Sequence, residues 1–360
     1  MFNRILVPLD GSRLAERVIP HAVYFSRIFG SDIVLLQVLD PTAFSENPSS
    51  VDPLNWQIRK AESAMYMQSI ADRISQDLAD LADSSEMEED RSIGGKKGSV
   101  EFYIEEGKTA ESIVNFAHTQ NIDLLMLTTH GAGGLSRWSL SSVPQKVINL
   151  VYLPILIERA YGLPAEPDQE FRYRRILLPV DSSRRAESAL SVGIALAGAG
   201  VHQHPFAVEE VKDYELIPQT GSATNLLLAA VIKPPELPIP QPYPGEIHHL
   251  CQELMNVSRQ AVTRYLEEMK ERLPVPAQTR VLENRSIPTA LQELINQEDD
   301  IDLVVFTAHG NTATFDWPYG SIARNYIDHG TKPVLILQDV PRSQVKPTAA
   351  EIAAQKSGNR

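Results

Sequence analysis

The sequence of 360 residues predicts an α/β protein of two similar domains, each an open five-stranded parallel sheet with helices on both faces. Three observations carry that prediction. Short, apolar, β-branched runs alternate with longer stretches of helical spacing, a pattern that requires right-handed crossovers and a parallel sheet covered on both sides. An opening phrase, Arg4-Ile5-Leu6-Val7-Pro8-Leu9-Asp10-Gly11-Ser12, recurs as Arg175-Ile176-Leu177-Leu178-Pro179-Val180-Asp181-Ser182-Ser183, an offset of 171 (181 − 10), and an Ala-Glu pair follows each time at Ala15-Glu16 and Ala186-Glu187. A late phrase recurs as well. Thr128-Thr129-His130-Gly131 returns as Thr307-Ala308-His309-Gly310, and in both copies nine residues separate the Gly from a small pair, Ser141-Ser142 or Gly320-Ser321. Two phrases repeated in the same order mark an internal duplication. The offset grows to 179 (309 − 130), so the second copy gains eight residues (179 − 171) in its middle.

In the first copy the opening strand leads into a helix reaching about residue 29. Further strands are expected over 32–39, 100–105, 123–128 and 155–158. A long helix is expected over 55–81, with Met65, Ile70, Ile74, Leu78 and Leu81 on one face. A shorter one covers 109–118, with Gly107 and Thr109 as start signals, and another covers 143–150, where Pro144 suits a first turn. The second copy reads alike, with strands near 206–208, 279–283, 301–306 and 334–337 and helices near 246–272, 289–296 and 321–327. At about 150 residues per domain the length suits two domains, here 1–160 and 171–341, joined by a linker at 161–170 and followed by a polar tail at 342–360.

Two internal stretches lack a packed periodicity and are expected to be the most mobile. Residues 83–99 are acidic and then Gly/Lys-rich. Residues 214–245 carry seven prolines, Pro218, Pro234, Pro235, Pro238, Pro240, Pro242 and Pro244, and favour extended polyproline geometry. That stretch is either a semi-rigid loop or a docking strip for a protein partner. The last strands of the two copies, opened by Pro154 and Pro333, are expected at sheet edges, where pairing of the halves as an intramolecular pseudo-dimer would cover them. A homodimer is the alternative.

Charge and composition exclude several classes. With 33 Lys and Arg against 46 Asp and Glu the net charge is −13, which argues against nucleic acid or an anionic membrane as the main partner. The one cysteine, Cys251, forms no internal disulfide, and no Cys/His set has zinc spacing, so a reducing compartment is favoured. No stretch approaches the ~18 consecutive apolar residues of a spanning helix. The N-terminal apolar run is too short for a signal peptide, so a cytoplasmic location is expected.

A strand that empties into a Gly-bearing loop and then a helix start gathers backbone N–H groups and a positive helix end around one point, which suits a phosphate. Asp10 and Asp181 end first strands at the carboxyl edge of their sheets, where ligands of open α/β sheets bind. They either hydrogen-bond a base amine or ribose hydroxyls, or organise the turn and cap the following helix.

These features together resemble the universal stress protein family in its tandem two-domain form, with the Rossmann-like fold of adenine-nucleotide alpha hydrolases. The family's signature is Gly, two residues, Gly, nine residues, Gly, then Ser or Thr. The second copy matches at Gly310, Gly320 and Ser321, with Thr307 in the leading place; the first matches at Gly131 and Ser142, with Thr128 and Ser141 in place of glycines. The resemblance implies a stress-response regulator that binds ATP or another adenine nucleotide, with or without Mg2+, and it puts Val38 and Val208 where a strand backbone meets the base. His130 and His309 lie inside the loops and are expected to make structural hydrogen bonds to neighbouring backbone, with contact to phosphate as the alternative. Asp316 and Trp317-Pro318 distinguish the second loop, and Arg137 and Lys146 lie near the first. Two other functions stay open, a nucleotide-free interaction scaffold and a slow ATP hydrolase. No Walker-type Gly-Lys-Ser/Thr follows a strand and no acid–base constellation is forced by spacing, so catalysis beyond weak ATPase activity is not expected.

Overall fold

Each half is organised around its first strand. In the computed structural model, which describes residues 1–41, 53–83, 98–130, 142–159, 171–198, 224–240, 242–310 and 318–339, β1 (Arg4–Pro8) lies between β2 (Asp32–Leu39) and β4 (Leu124–Thr128). Ile5, Leu6 and Val7 are fully buried, as a strand covered on both faces requires. With β3 (Val100–Glu106) and β5 (Ile155–Glu158) the order is β3-β2-β1-β4-β5, every pairing parallel. A 3-10 turn at Ala15–Val18 runs into α1 (Ile19–Phe29), which Gly30 ends in the left-handed region at φ 65°. The other helices of this half are α2 (Pro53–Asp83), α3 (Thr109–Thr119) and α4 (Ser142–Leu150). The buried face of α2 carries Met67, Ile70, Ile74 and Leu78. Met65, expected there, is 74% exposed. Met67 precedes Ile70 and Ile74 by three and seven residues and shares their face, whereas Met65 precedes them by five and nine and lies on the opposite side of the helix.

The second half repeats the plan with β6 (Arg175–Pro179), α5 (Arg184–Glu187), α6 (Ala189–Leu196), β7 (Asn225–Ile232), α7 (Gly245–Glu271), β8 (Ala277–Glu283), α8 (Ile287–Gln297), β9 (Ile301–Thr307), α9 (Ser321–His329) and β10 (Val334–Leu337). Its order is β8-β7-β6-β9-β10, again all parallel. The two halves are separate compact units, built on Met1–Phe171 and on Arg172–Thr314 with Tyr319–Asp339.

One element departs from expectation. Residues 206–208 lie outside the described residues, and the strand that occupies the second place in this half is β7, inside the stretch read as a Pro-rich loop. Leu226, Leu227, Leu228 and Ala229 are fully buried between β6 and β8. Pro234, Pro235 and Pro238 follow the end of the strand, where a missing N–H removes no ladder bond. Register fixes the correspondence between halves, because Pro8 pairs with Leu36 and Pro179 with Ala229, an offset of 193 (229 − 36). The second copy therefore inserts 22 residues (193 − 171) before this strand. It loses 16 before the next, since β8 and β3 start 177 apart (277 − 100). The position matching Val38 is Val231, not Val208.

The linker 161–170 and the tail 342–360 also lie outside the described residues, as does most of 83–99. Among the described residues no helix is long and apolar enough to cross a membrane.

Candidate functional site

The turn after the first strand is built identically in both halves. Leu9 N–H donates to Leu36 O at 2.8 Å and Val180 N–H to Ala229 O at 2.8 Å, which carries each chain straight to its aspartate. Asp10 Oδ1 accepts from Ser12 N–H at 3.0 Å and from Ser12 Oγ–H at 2.6 Å, while Ser12 Oγ accepts from Ala15 N–H at 3.1 Å. Asp181 Oδ1 takes the same two bonds from Ser183 at 3.1 and 2.5 Å, and Ser183 Oγ caps α5 by accepting from Ala186 N–H at 3.1 Å. One carboxylate oxygen thus organises the turn. The turn needs a left-handed residue, supplied by Gly11 at φ 82° and, less comfortably, by Ser182 at φ 62°.

The turn after the fourth strand is also repeated. Thr128 Oγ1 donates to His130 O at 2.7 Å, and Thr307 Oγ1 to His309 O at 2.8 Å. This explains why Thr stands in the leading position: its hydroxyl closes the loop back onto the strand end. Both histidines are buried. His130 Nδ1 lies 3.1 Å from Thr129 Oγ1. His309 Nδ1 lies 2.8 Å from Asp339 Oδ1, the same oxygen accepts from His309 N–H at 3.1 Å, and Arg185 Nε approaches Asp339 Oδ2 at 3.6 Å. Nδ1 of each ring therefore braces its loop through a side chain, Thr129 or Asp339, where the sequence predicts a bond to neighbouring backbone.

In the second half the two turns meet. A Cβ on Gly310 would lie 2.4 Å from Asp181 Oδ2, so the loop backbone approaches the aspartate more closely than any side chain permits. Gly320 N–H donates to Ala308 O at 2.6 Å, and Gly320 is the N-cap of α9 with no side chain capping that end. Ser321 is the first residue of α9, as Ser142 is of α4, and Lys146 is exposed on α4. Gly131, Ser141, Val208, Arg137, Asp316 and Trp317 lie outside the described residues.

Topology gives these turns their meaning. From β1 the chain goes to β2 on one side and later to β4 on the other, and from β6 to β7 and β9 in the same way. The carboxyl ends of β1 and β4, and of β6 and β9, flank the switch point at which open parallel sheets bind ligands. A family model described as "Universal stress protein family" matches residues 1–159 and again 172–338. The chain belongs to the universal stress protein family. Universal stress protein MJ0531 of Methanocaldococcus jannaschii is 24% identical over 161 residues, 44% of this chain and 82% of that protein. A universal stress protein from Archaeoglobus fulgidus shares the fold at a TM-score of 0.52 and 15% identity, covering 94% of this chain and 100% of its own. A putative universal stress protein from Pseudomonas aeruginosa does so at 0.54 and 14%, covering 100% and 98%.

Two features of this universal stress protein went unread in the sequence. The first is a cluster found in each half. Tyr66 Oη on α2 donates to Glu16 Oε1 at 3.2 Å, and Arg73 Nη2 donates to Glu16 Oε2 at 3.1 Å. Tyr265 Oη on α7 likewise donates to Glu187 Oε1 at 2.8 Å. Burial first, and then the neighbouring carboxylates of Glu16 and Asp10, hold the Tyr66 phenol well above its ordinary range; burial, Glu187 and Asp181 do the same to Tyr265. These tyrosines tie the long helix to the aspartate turn. Their signal is a Tyr and an Arg seven apart in each copy, at a common offset of 199 (265 − 66, 272 − 73). The second feature is Gln37, a buried polar residue in β2 with no counterpart of its kind in β7.

Proposed function

We propose that this universal stress protein is a stress-response regulator that binds ATP or another adenine nucleotide at the switch point of at least one half. The observation that carries the reading is the close approach of Gly310 to Asp181, which sets a Gly-bearing loop, an aspartate and the side-chain-uncapped start of α9 on one sheet edge. The donor set fits a nucleotide. The first N–H groups of α9 and the backbone around Gly310 and Ser321 would receive phosphates, as Ser142 would at α4 in the first half. The aspartates would meet a base amine or ribose hydroxyls, and the strand backbone facing the base would be that of Val38 and Val231. Mg2+ would arrive with a triphosphate, held by its oxygens. Among the described residues no group of three His, Cys, Asp or Glu is disposed to hold a metal. The role is binding, with Nδ1 of each loop histidine engaged by a neighbouring side chain, Asp339 Oδ1 or Thr129 Oγ1.

The test is thermal. A nucleotide at ~100 times its dissociation constant stabilises the folded form by about 2.7 kcal/mol, roughly 5 to 10 °C in Tm for a domain of this size. Asp181→Ala with Gly310→Val removes the shift if the second half binds, and Asp10→Ala with Gly131→Val removes it if the first does. If ATP, ADP, AMP and cyclic AMP at millimolar concentration all leave Tm unchanged, the chain is a nucleotide-free scaffold instead.

A further inference from the structure

Gln37 interrupts a strand that is otherwise apolar from Ile33 to Leu39. Its side chain is buried, only 8% exposed, and Oε1 has no hydrogen-bond partner among the described residues. A buried amide oxygen without a partner is destabilising, and such a group calls for an explanation outside the packing itself. The fold does not require a carboxamide here. By strand register the same position in the second half is Ala230 (37 + 193), buried at 5% and paired with Val281 of β8 as Gln37 is with Ile104 of β3. The location is informative as well. Gln37 Nε2 lies 3.8 Å from where a Cβ on Gly11 would stand, beside Asp10 and one residue before Val38.

We infer that Gln37 determines base specificity in the first half's site, pairing its carboxamide with an aminopurine edge. The inference rests on the nucleotide-binding reading above and names what that site selects. A carboxamide presents one acceptor and one donor side by side, which matches the amine hydrogen and ring nitrogen of adenine in the way Asn and Gln read adenine elsewhere. A 6-oxopurine offers acceptors at both places. Oε1 would then oppose an oxygen and stay unsatisfied. The second half, with Ala230, lacks this discrimination.

The experiment uses the full chain with the second half disabled by Asp181→Ala and Gly310→Val, a pair in which the shorter residue at 181 makes room for the larger one at 310. Calorimetry then compares ATP, inosine triphosphate and AMP, with and without Gln37→Ala, the residue that the other half tolerates at this place. ATP should bind about tenfold or more tighter than inosine triphosphate. Gln37→Ala should bring that ratio close to one and leave the ratio of ATP to AMP, set by the phosphates, unchanged. Gln37→Met preserves volume and should behave in the same way. If neither variant folds, the comparison of ATP with inosine triphosphate and purine riboside triphosphate on the unsubstituted Gln37 decides, because equal affinities overturn the inference. An unchanged ratio in either variant also overturns it and leaves nucleotide binding standing. Should the disabled chain bind none of the three, the inference falls, and the wild-type chain shows whether nucleotide binding falls with it.

Discussion

Gly310 has no room for a side chain because Asp181, 129 residues earlier (310 − 181), is held against it by two bonds from Ser183. An Ala at 310 must push the carboxylate off those bonds. Gly310→Ala should therefore cost about 1–3 kcal/mol, and Asp181→Ala in the same chain should recover part of that cost. Urea unfolding of the two single variants and the double variant measures the coupling, and strict additivity would show that the two groups do not press on each other. The sequence announced that a glycine here permits close approach, since a Gly followed nine residues later by Gly-Ser suits a tight loop. It could not announce what approaches, because Asp181 and Gly310 meet only once β6 and β9 pair. The role of Thr307 was hidden for a similar reason, since its bond to His309 O depends on how the loop folds back.

At the scale of elements the informative case is β7. After Asn225 its sequence, Leu226-Leu227-Leu228-Ala229-Ala230-Val231-Ile232, is an uninterrupted apolar run of strand length. The prolines around it dominate any composition averaged over 214–245, and such averaging describes the flanks of an element rather than the element. A central strand bonded on both sides opens only with the sheet that contains it. Amide hydrogens of Leu226 to Ile232 should accordingly exchange among the slowest in the second half, matching those of Ile176 to Leu178 in β6. Exchange of these amides within seconds would contradict the pairing. The misplaced face of α2 has a different origin. Met67, three and seven residues before Ile70 and Ile74, continues their row, whereas Met65, five and nine before them, falls on the opposite side of the helix, so the helical period itself favours Met67.

At the scale of the whole molecule, both halves hold a half-buried tyrosine against carboxylates, so the chain's stability should depend on alkaline pH. Tyr66 and Tyr265 have pKa values raised above 10.0 in the folded state, while in the unfolded chain they return to about 10. Below pH ~10 both states keep the proton and the contribution is fully present. Above it the unfolded state ionises first, so stability falls as pH rises and the contribution is lost once pH passes the folded values. Urea midpoints measured from pH 8 to 11 should decline, and Tyr66→Phe with Tyr265→Phe should flatten that decline. Phenolate absorbance provides an independent check, because at least two of the 11 tyrosines should ionise late. Ionisation of all of them together near pH 10 would show that the clusters are solvated.

The sequence by itself determined the alternation of strand and helix, the duplication, the family, and the two kinds of turn that each half brings to one sheet edge. These are written in spacing along the chain, and spacing survives insertions in the intervening loops. Tertiary structure alone decided that Val231 rather than Val208 matches Val38, that Asp339 braces His309, that Tyr66 reaches Glu16, and that Gln37 lies buried beside Gly11. Each of those facts is a contact between residues distant in sequence, fixed by strand register and by which helix face meets the sheet. A one-residue change of register would move every side chain of a strand to its opposite face, and no local pattern records that choice.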